Sequence, residues 1–146
     1  VSNISVLYHE TKDHIEKVRS IPKVGSIDRI NLDMTINRTC LLLSLDVVLS
    51  EYRKKFGTIF NPLNGRDALT HLIVNKYHWT ISEVKTLTLK DALLAISEEL
   101  RFDNLPTKLQ GFLESIKFRQ YRSCFDDLLD EEWDPDLGKL LLIQLD

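Results

Sequence analysis

The stretch Ile36-Asn-Arg-Thr-Cys-Leu-Leu-Leu-Ser-Leu-Asp-Val-Val-Leu-Ser-Glu-Tyr-Arg-Lys-Lys-Phe56 decides the fold. Apolar residues recur at 36, 40, 43, 47, 48, 52 and 56, the three-and-four rhythm of one helical face. Thr35 or Asn37 is placed to cap the start. Arg53-Lys-Lys55 followed by Gly57 supplies a cationic last turn, which compensates the helix dipole, and a left-handed stop. The longest apolar run, Cys40–Leu49, is interrupted by Ser44 and Asp46. It falls well short of the roughly 20 residues a membrane helix needs, so it reads as a buried core helix.

Working outward toward the C-terminus, Asn61-Pro-Leu-Asn-Gly65 is a loop. Arg66 to about Tyr77 follows as a helix with Ala68, Leu69, Leu72, Ile73 and Tyr77 as its stripe. Thr80-Ile-Ser-Glu83 is a capping box opening a brief helix through about Lys85. Thr88-Leu-Lys-Asp91 starts another, running to about Arg101 with Leu89, Ala92, Leu93, Ile96 and Leu100 inward. Pro106 opens a helix with Leu109, Phe112, Leu113, Ile116 and, if it extends so far, Tyr121 on its buried side. Asp134-Pro135 begins the last, carrying Leu137, Leu140, Leu141 and Leu145.

Toward the N-terminus, Ser5–Ser20 reads as a helix with apolar positions at 4, 7, 8, 15 and 18. Ile21–Ser26 is a break, and Ser26–Asp33 alternates apolar and polar residues in a way that leaves room for one short strand. The expected fold is all-α: residues 1–146 as a single domain of five to seven helices around a central buried one.

With 43% apolar and 28% charged residues over 146 positions, the chain can bury a core without covalent staples. Cys40 and Cys124 lack metal-ligand spacing and read as two reduced core thiols, which points to the cytoplasm. The opening Val-Ser-Asn-Ile-Ser has neither the basic nor the apolar part of a secretory signal.

No spacing in the chain dictates a reaction. His9, His14, His71 and His78 form no zinc-binding pattern, and a calcium loop counted from Asp130 meets Pro135 where glycine is required. A nucleophile elbow, a phosphate-cradling glycine loop and a Cys-x-x-Cys pair are all missing from the sequence. The expectation is a non-enzyme that uses neither metal nor cofactor.

Charge is the functional signal. The last 22 residues carry eight acids and one base, a net −7, whereas the preceding 124 sum to +4. Seven carboxylates crowd into Phe125–Asp136: Asp126, Asp127, Asp130, Glu131, Glu132, Asp134 and Asp136. Clustered charges repel unless solvated or neutralised. If the segment is helical, Phe125, Leu128, Leu129 and Trp133 share one face and the acids surround it. An aromatic anchor rimmed by carboxylates suits a basic protein partner, the acids steering association and Trp133 acting as a hot spot. The other reading is a core-packed face with merely solvated acids, and exposure of Trp133 separates the two.

Just upstream, Lys117, Arg119, Tyr121 and Arg122 interleave cations with aromatics and form a secondary candidate surface. Three cations are too few for a robust nucleic-acid binder. A helix-turn-helix over 66–101 would send Asp91, Glu98 and Glu99 against DNA phosphates, so nucleic acid is an unfavoured partner. In character the chain suits a small bacterial inhibitor of the immunity-protein kind, neutralising a basic, nuclease-like toxin through its acidic surface. A DNA-associated regulator and a helical subunit of a larger assembly are the competing readings. The subunit would carry an additional apolar face that its own fold leaves uncovered.

Overall fold

Residues 3–22 and 28–142 are described by the computed structural model, and they form helices and no strand. The elements are α1 (Asn3–Val18), α2 (Arg29–Phe56), α3 (Asp67–Tyr77), α4 (Ile81–Lys85), α5 (Leu89–Ala95), α6 (Thr107–Ser115) and α7 (Pro135–Leu142). Short 3₁₀ turns lie at Phe102–Asn104, Phe118–Gln120 and Asp130–Glu132. Among the described residues no helix is long and apolar enough to cross a membrane.

Helix α2 starts earlier than its apolar rhythm suggests. Asp28, not Thr35 or Asn37, is the N-cap, its carboxylate accepting from the Ile30 N–H at 3.2 Å. The strand expected over Ser26–Asp33 is therefore corrected from Arg29 onward, where the backbone is already helical; Ser26 and Ile27 lie outside the described residues, as do most of the Ile21–Ser26 break and Leu145. Thr35, Thr39 and Ser44 return their hydroxyls to carbonyls one turn back, which lets these polar side chains sit in the buried helix.

The helix is buried on two faces, not one. Leu43 and Val47 pack with Ile4, Leu7, Leu109, Leu113 and Leu142. Leu42, Leu45 and Leu49 pack on another side with Ile15, Leu69, Ile73, Leu89 and Ile96. A helix surrounded in this way shows little amphipathicity, and the single stripe read from the sequence captured only half its contacts. The first half of α1 with α6 and α7 covers one face, and α3, α4 and α5 with Ile15 of α1 the other.

The end of α2 also differs from expectation. Gly57 is extended (φ −69°, ψ 149°), not left-handed; glycine is needed for space, since a Cβ there would lie 2.6 Å from the Arg53 carbonyl oxygen. Arg53 does more than complement the dipole. It donates to the carbonyls of Leu63 (2.8 Å) and Gly65 (2.9 Å), bracing a loop in which buried Leu63 takes a left-handed φ of 59°. That conformation costs a non-glycine residue about 1–2 kcal/mol, which Leu63 burial and the Arg53 bonds offset.

Both capped starts form. The Thr80 hydroxyl accepts from the Glu83 N–H and the Thr88 hydroxyl from the Asp91 N–H, each at 3.2 Å. Helix α5 ends at Ala95, short of the expected Arg101, and continues only as turns. This also shortens the element that a helix-turn-helix would insert into DNA.

Candidate functional site: an acidic segment held by arginines

Between Arg122 and Leu129 the backbone is irregular, followed by the 3₁₀ turn at Asp130–Glu132. The expected helical face of Phe125, Leu128, Leu129 and Trp133 is thus not built by a helix. Tertiary contacts hold the segment in place instead.

Glu132 is the centre of that hold. It is 1% exposed, and its two oxygens accept five hydrogen bonds. Arg19 donates from Nε at 2.8 Å and from a terminal nitrogen at 3.0 Å. One nitrogen of Arg38 reaches both oxygens, at 2.8 and 3.0 Å, and the Leu129 N–H completes the set at 2.7 Å. The two guanidiniums also share the Asp127 carbonyl, at 3.0 Å from Arg19 and 2.9 Å from Arg38. Phe125 lies beneath them, with the Arg19 guanidinium carbon 3.8 Å from its ring centre and that of Arg38 at 5.4 Å. Burial holds the Arg38 pKa below its ordinary value, whereas the bond to Glu132 raises that of Arg19; a guanidinium stays charged in either case.

Trp133 is not a surface anchor. The ring is 7% exposed in the α3–α5 side of the core, and its Nε1 donates to the Asp46 carboxylate at 2.8 Å. Trp133 and Glu132 are corrected accordingly: both point inward, the indole because its ring buries apolar area and the carboxylate because two arginines and a backbone N–H replace the water it loses. Asp46 is also buried, and burial pushes its carboxyl up to about 7, against the lowering effects of the Trp133 bond and Arg53. Gly138 of α7 lies against it; a Cβ there would fall 2.7 Å from the Asp46 carboxyl carbon.

The remaining acids divide in two. Asp130 is structural in part, one oxygen capping α5 at the Leu89 N–H (2.9 Å) and the other meeting Arg66 at 3.3 Å. Exposed Asp127 pairs with Arg19 at 3.0 Å, which holds its carboxyl below the usual range. Asp134 is half-buried and caps α7, accepting from the Asp136 N–H at 3.0 Å. Asp126, Glu131 and Asp136 are exposed, and the Glu131 carbonyl meets His14 Nε2 at 2.7 Å. Asp126 and Asp127 line a groove of about 380 Å³ together with Lys90, Asp91, Leu93 and the 74%-exposed Leu94.

In the secondary segment, Arg119, Tyr121 and Arg122 line one recess with Asn37, Cys40 and Phe118, whereas Lys117 is outside that lining. They are not on a helix: Lys117 is left-handed, and residues 118–120 form the 3₁₀ turn. Arg119 is engaged by Glu114 at 3.0 Å and stacks on Phe102 and Phe118. Tyr121 is half-buried and lends its carbonyl to Asn37 at 2.8 Å. Cys124 is exposed, which corrects its reading as a core thiol; both cysteines are free, and burial pushes the Cys40 thiol up to about 12.

Sequence reasoning missed Arg19, Arg38 and Arg66 as partners of the acids. A signal existed for Arg38, a charge two positions before the apolar run. Among the described residues no group of three or more histidine, cysteine or acidic side chains is arranged to hold a metal ion. No family model matches the chain, and neither a curated protein nor a solved structure matches it.

Proposed function

We propose that this chain is a non-catalytic protein-binding module that presents its acidic segment to a basic partner, in the manner of an immunity protein neutralising a nuclease-like toxin in a bacterial cytoplasm. The observation that carries the reading is the clamp of Arg19 and Arg38 on Glu132 and Asp127. An irregular acidic segment would ordinarily lose much conformational entropy on binding. Here it is already immobilised, with Asp126 and Glu131 directed to solvent, so the ordering cost of association is reduced. With Trp133 buried, exposed Leu94, which lines the same groove as Asp126 and Asp127, offers an apolar contact beside the acids. Clustered carboxylates chiefly raise the on-rate for a cationic surface.

The test is capture from native lysate with wild-type bait beside an Asp126→Lys, Glu131→Lys bait of unchanged fold. The reading expects a basic protein retained only by the wild type and released as salt rises, since screening shortens the Debye length from about 10 Å at 0.1 M to about 3 Å at 1 M. Partners retained equally by both baits would overturn it.

A further inference from the structure

Of the nine large apolar side chains exposed among the described residues, six lie between Phe56 and Ile81, and none of these belongs to the acidic segment. They are Phe56, Ile59, Phe60, Tyr77, Trp79 and Ile81, with Ile59 and Phe60 at 92% and 96% exposure. These last two form the tip of a turn closed at both ends. The Thr58 N–H donates to the Asn61 carbonyl and the Asn61 N–H to the Thr58 hydroxyl, each at 2.9 Å. Arg53 braces the chain that follows. The tip is therefore a preformed apolar finger, and it carries the two most exposed large apolar side chains among the described residues.

Next to the finger is a groove of about 220 Å³, bounded by Asn61, Leu63, His71, Val74, Ile81 and Lys85. A dry cavity of roughly 150 Å³ accepts a benzene molecule, so this groove has room for a phenyl ring. Phe56 adjoins it through the His71 ring, at 5.9 Å between centres. One face thus carries both an apolar projection and an apolar recess of matching size, the requirement for a self-complementary two-fold contact. The rim is mixed in sign, Asp67 and Lys85 both lining the groove, so a rotated copy offers each charge an opposite one. A lipid surface or an acidic partner would favour a rim of cations alone.

We infer that this face is a homodimer interface in which Phe60 of each copy seats in the Asn61–Lys85 groove of the other. Taking about 200 Å² for a large side chain and the observed exposures, the six residues offer on the order of 700 Å² per copy. That is slightly under the roughly 800 Å² per partner of a standard interface, which implies a reversible dimer with Kd on the order of micromolar.

Sedimentation equilibrium of the full chain from roughly 1 to 300 µM tests this against the expected Kd. The expected result is a concentration-dependent monomer–dimer equilibrium. Phe60→Asp on the finger and Ile81→Glu on the groove should each raise Kd at least about tenfold with an unchanged helical spectrum, as losing an interface anchor does. Vesicles of phosphatidylcholine and phosphatidylserine are run alongside as a probe of lipid docking. A chain that stays monomeric throughout overturns the inference, as does a dimer that neither substitution weakens. A monomer that binds the vesicles through Phe60 reassigns the face to a membrane surface. Neither substitution touches residues 126–136, so failure here is distinct from failure of the acidic surface to bind its partner.

Discussion

Trp133 donates its indole N–H to Asp46 across 87 positions of chain, at 2.8 Å, and both residues are buried. The bond ties the end of the acidic segment to the middle of the central helix α2, and Gly138 of α7 closes over the same carboxylate. Glycine inside a helix costs about 1 kcal/mol relative to alanine, and here the close approach of Asp46 explains it. Asp46 thus joins three elements through one group.

That group makes stability pH-dependent in an unusual direction. The Asp46 carboxyl, raised by burial to about 7 from an unfolded value near 4, holds its proton in the folded state when the unfolded chain has lost it. Its contribution is fully present below pH 4 and disappears as pH rises through 7, so this residue favours folding less in mild base. Asp46→Asn, which keeps an acceptor for Trp133, should gain about 1–3 kcal/mol over wild type at pH 8, with the gain shrinking as pH falls and vanishing below about pH 4. Urea unfolding of both proteins across pH 3.5–8 checks this; a gain independent of pH would refute it.

The clamp should be asymmetric. Removing Arg38 leaves Glu132, which is wholly buried, with half its cationic partners, and Arg38→Met is expected to cost about 3–5 kcal/mol. Arg19 is somewhat more exposed, and Arg19→Met should cost less. Hydrogen exchange should report faster opening at residues 125–129 in both variants. Unchanged protection there would show that the arginines do not hold the segment.

Because α2 is buried on two sides, truncations on either should be comparably harmful. Leu43→Ala and Leu45→Ala, both at 0% exposure, are each expected to lose about 2–4 kcal/mol, and Val47→Ala somewhat less. Chemical denaturation measures the losses. A loss below about half a kcal/mol at Leu45 would mean that only one face of the helix is in the core.

Chelator should leave the melting temperature unchanged. The acids that a cation would need together are already engaged, Glu132 and Asp127 by Arg19 and Arg38, and Asp130 by Arg66 and the α5 N-terminus. Differential scanning fluorimetry with and without EDTA is the measurement. A drop of several degrees would restore the carboxylate cluster as a metal site.

Much of the helical layout was legible. The stripes of α1, α6 and, apart from exposed Tyr77, α3, the Thr80 and Thr88 caps, and the Asp134-Pro135 start depend on residues three or four apart, so their physics is written within one or two turns. The start of α2 was less so. Residues 29–33 alternate apolar and polar types, and Asp28 capping overrides that local ambiguity. In the candidate site, the charge run was plain but its division into exposed and internal members was not. Asp46 and Arg38, single charges within a buried helix, were the available hint, since a buried charge demands a partner.

The amino-acid sequence by itself determined that this protein is helical, where most helices begin, and that carboxylates crowd residues 126–136, because periodicity, capping and composition are local properties. Which acids face solvent was decided only in three dimensions. Glu132 meets Arg19 and Arg38 over 113 and 94 positions, and Asp130 meets Arg66 over 64. Such pairings form only once the helices have packed, and it is their proximity in a desolvated interior that turns Glu132 and Trp133 inward and leaves Asp126 and Glu131 at the surface.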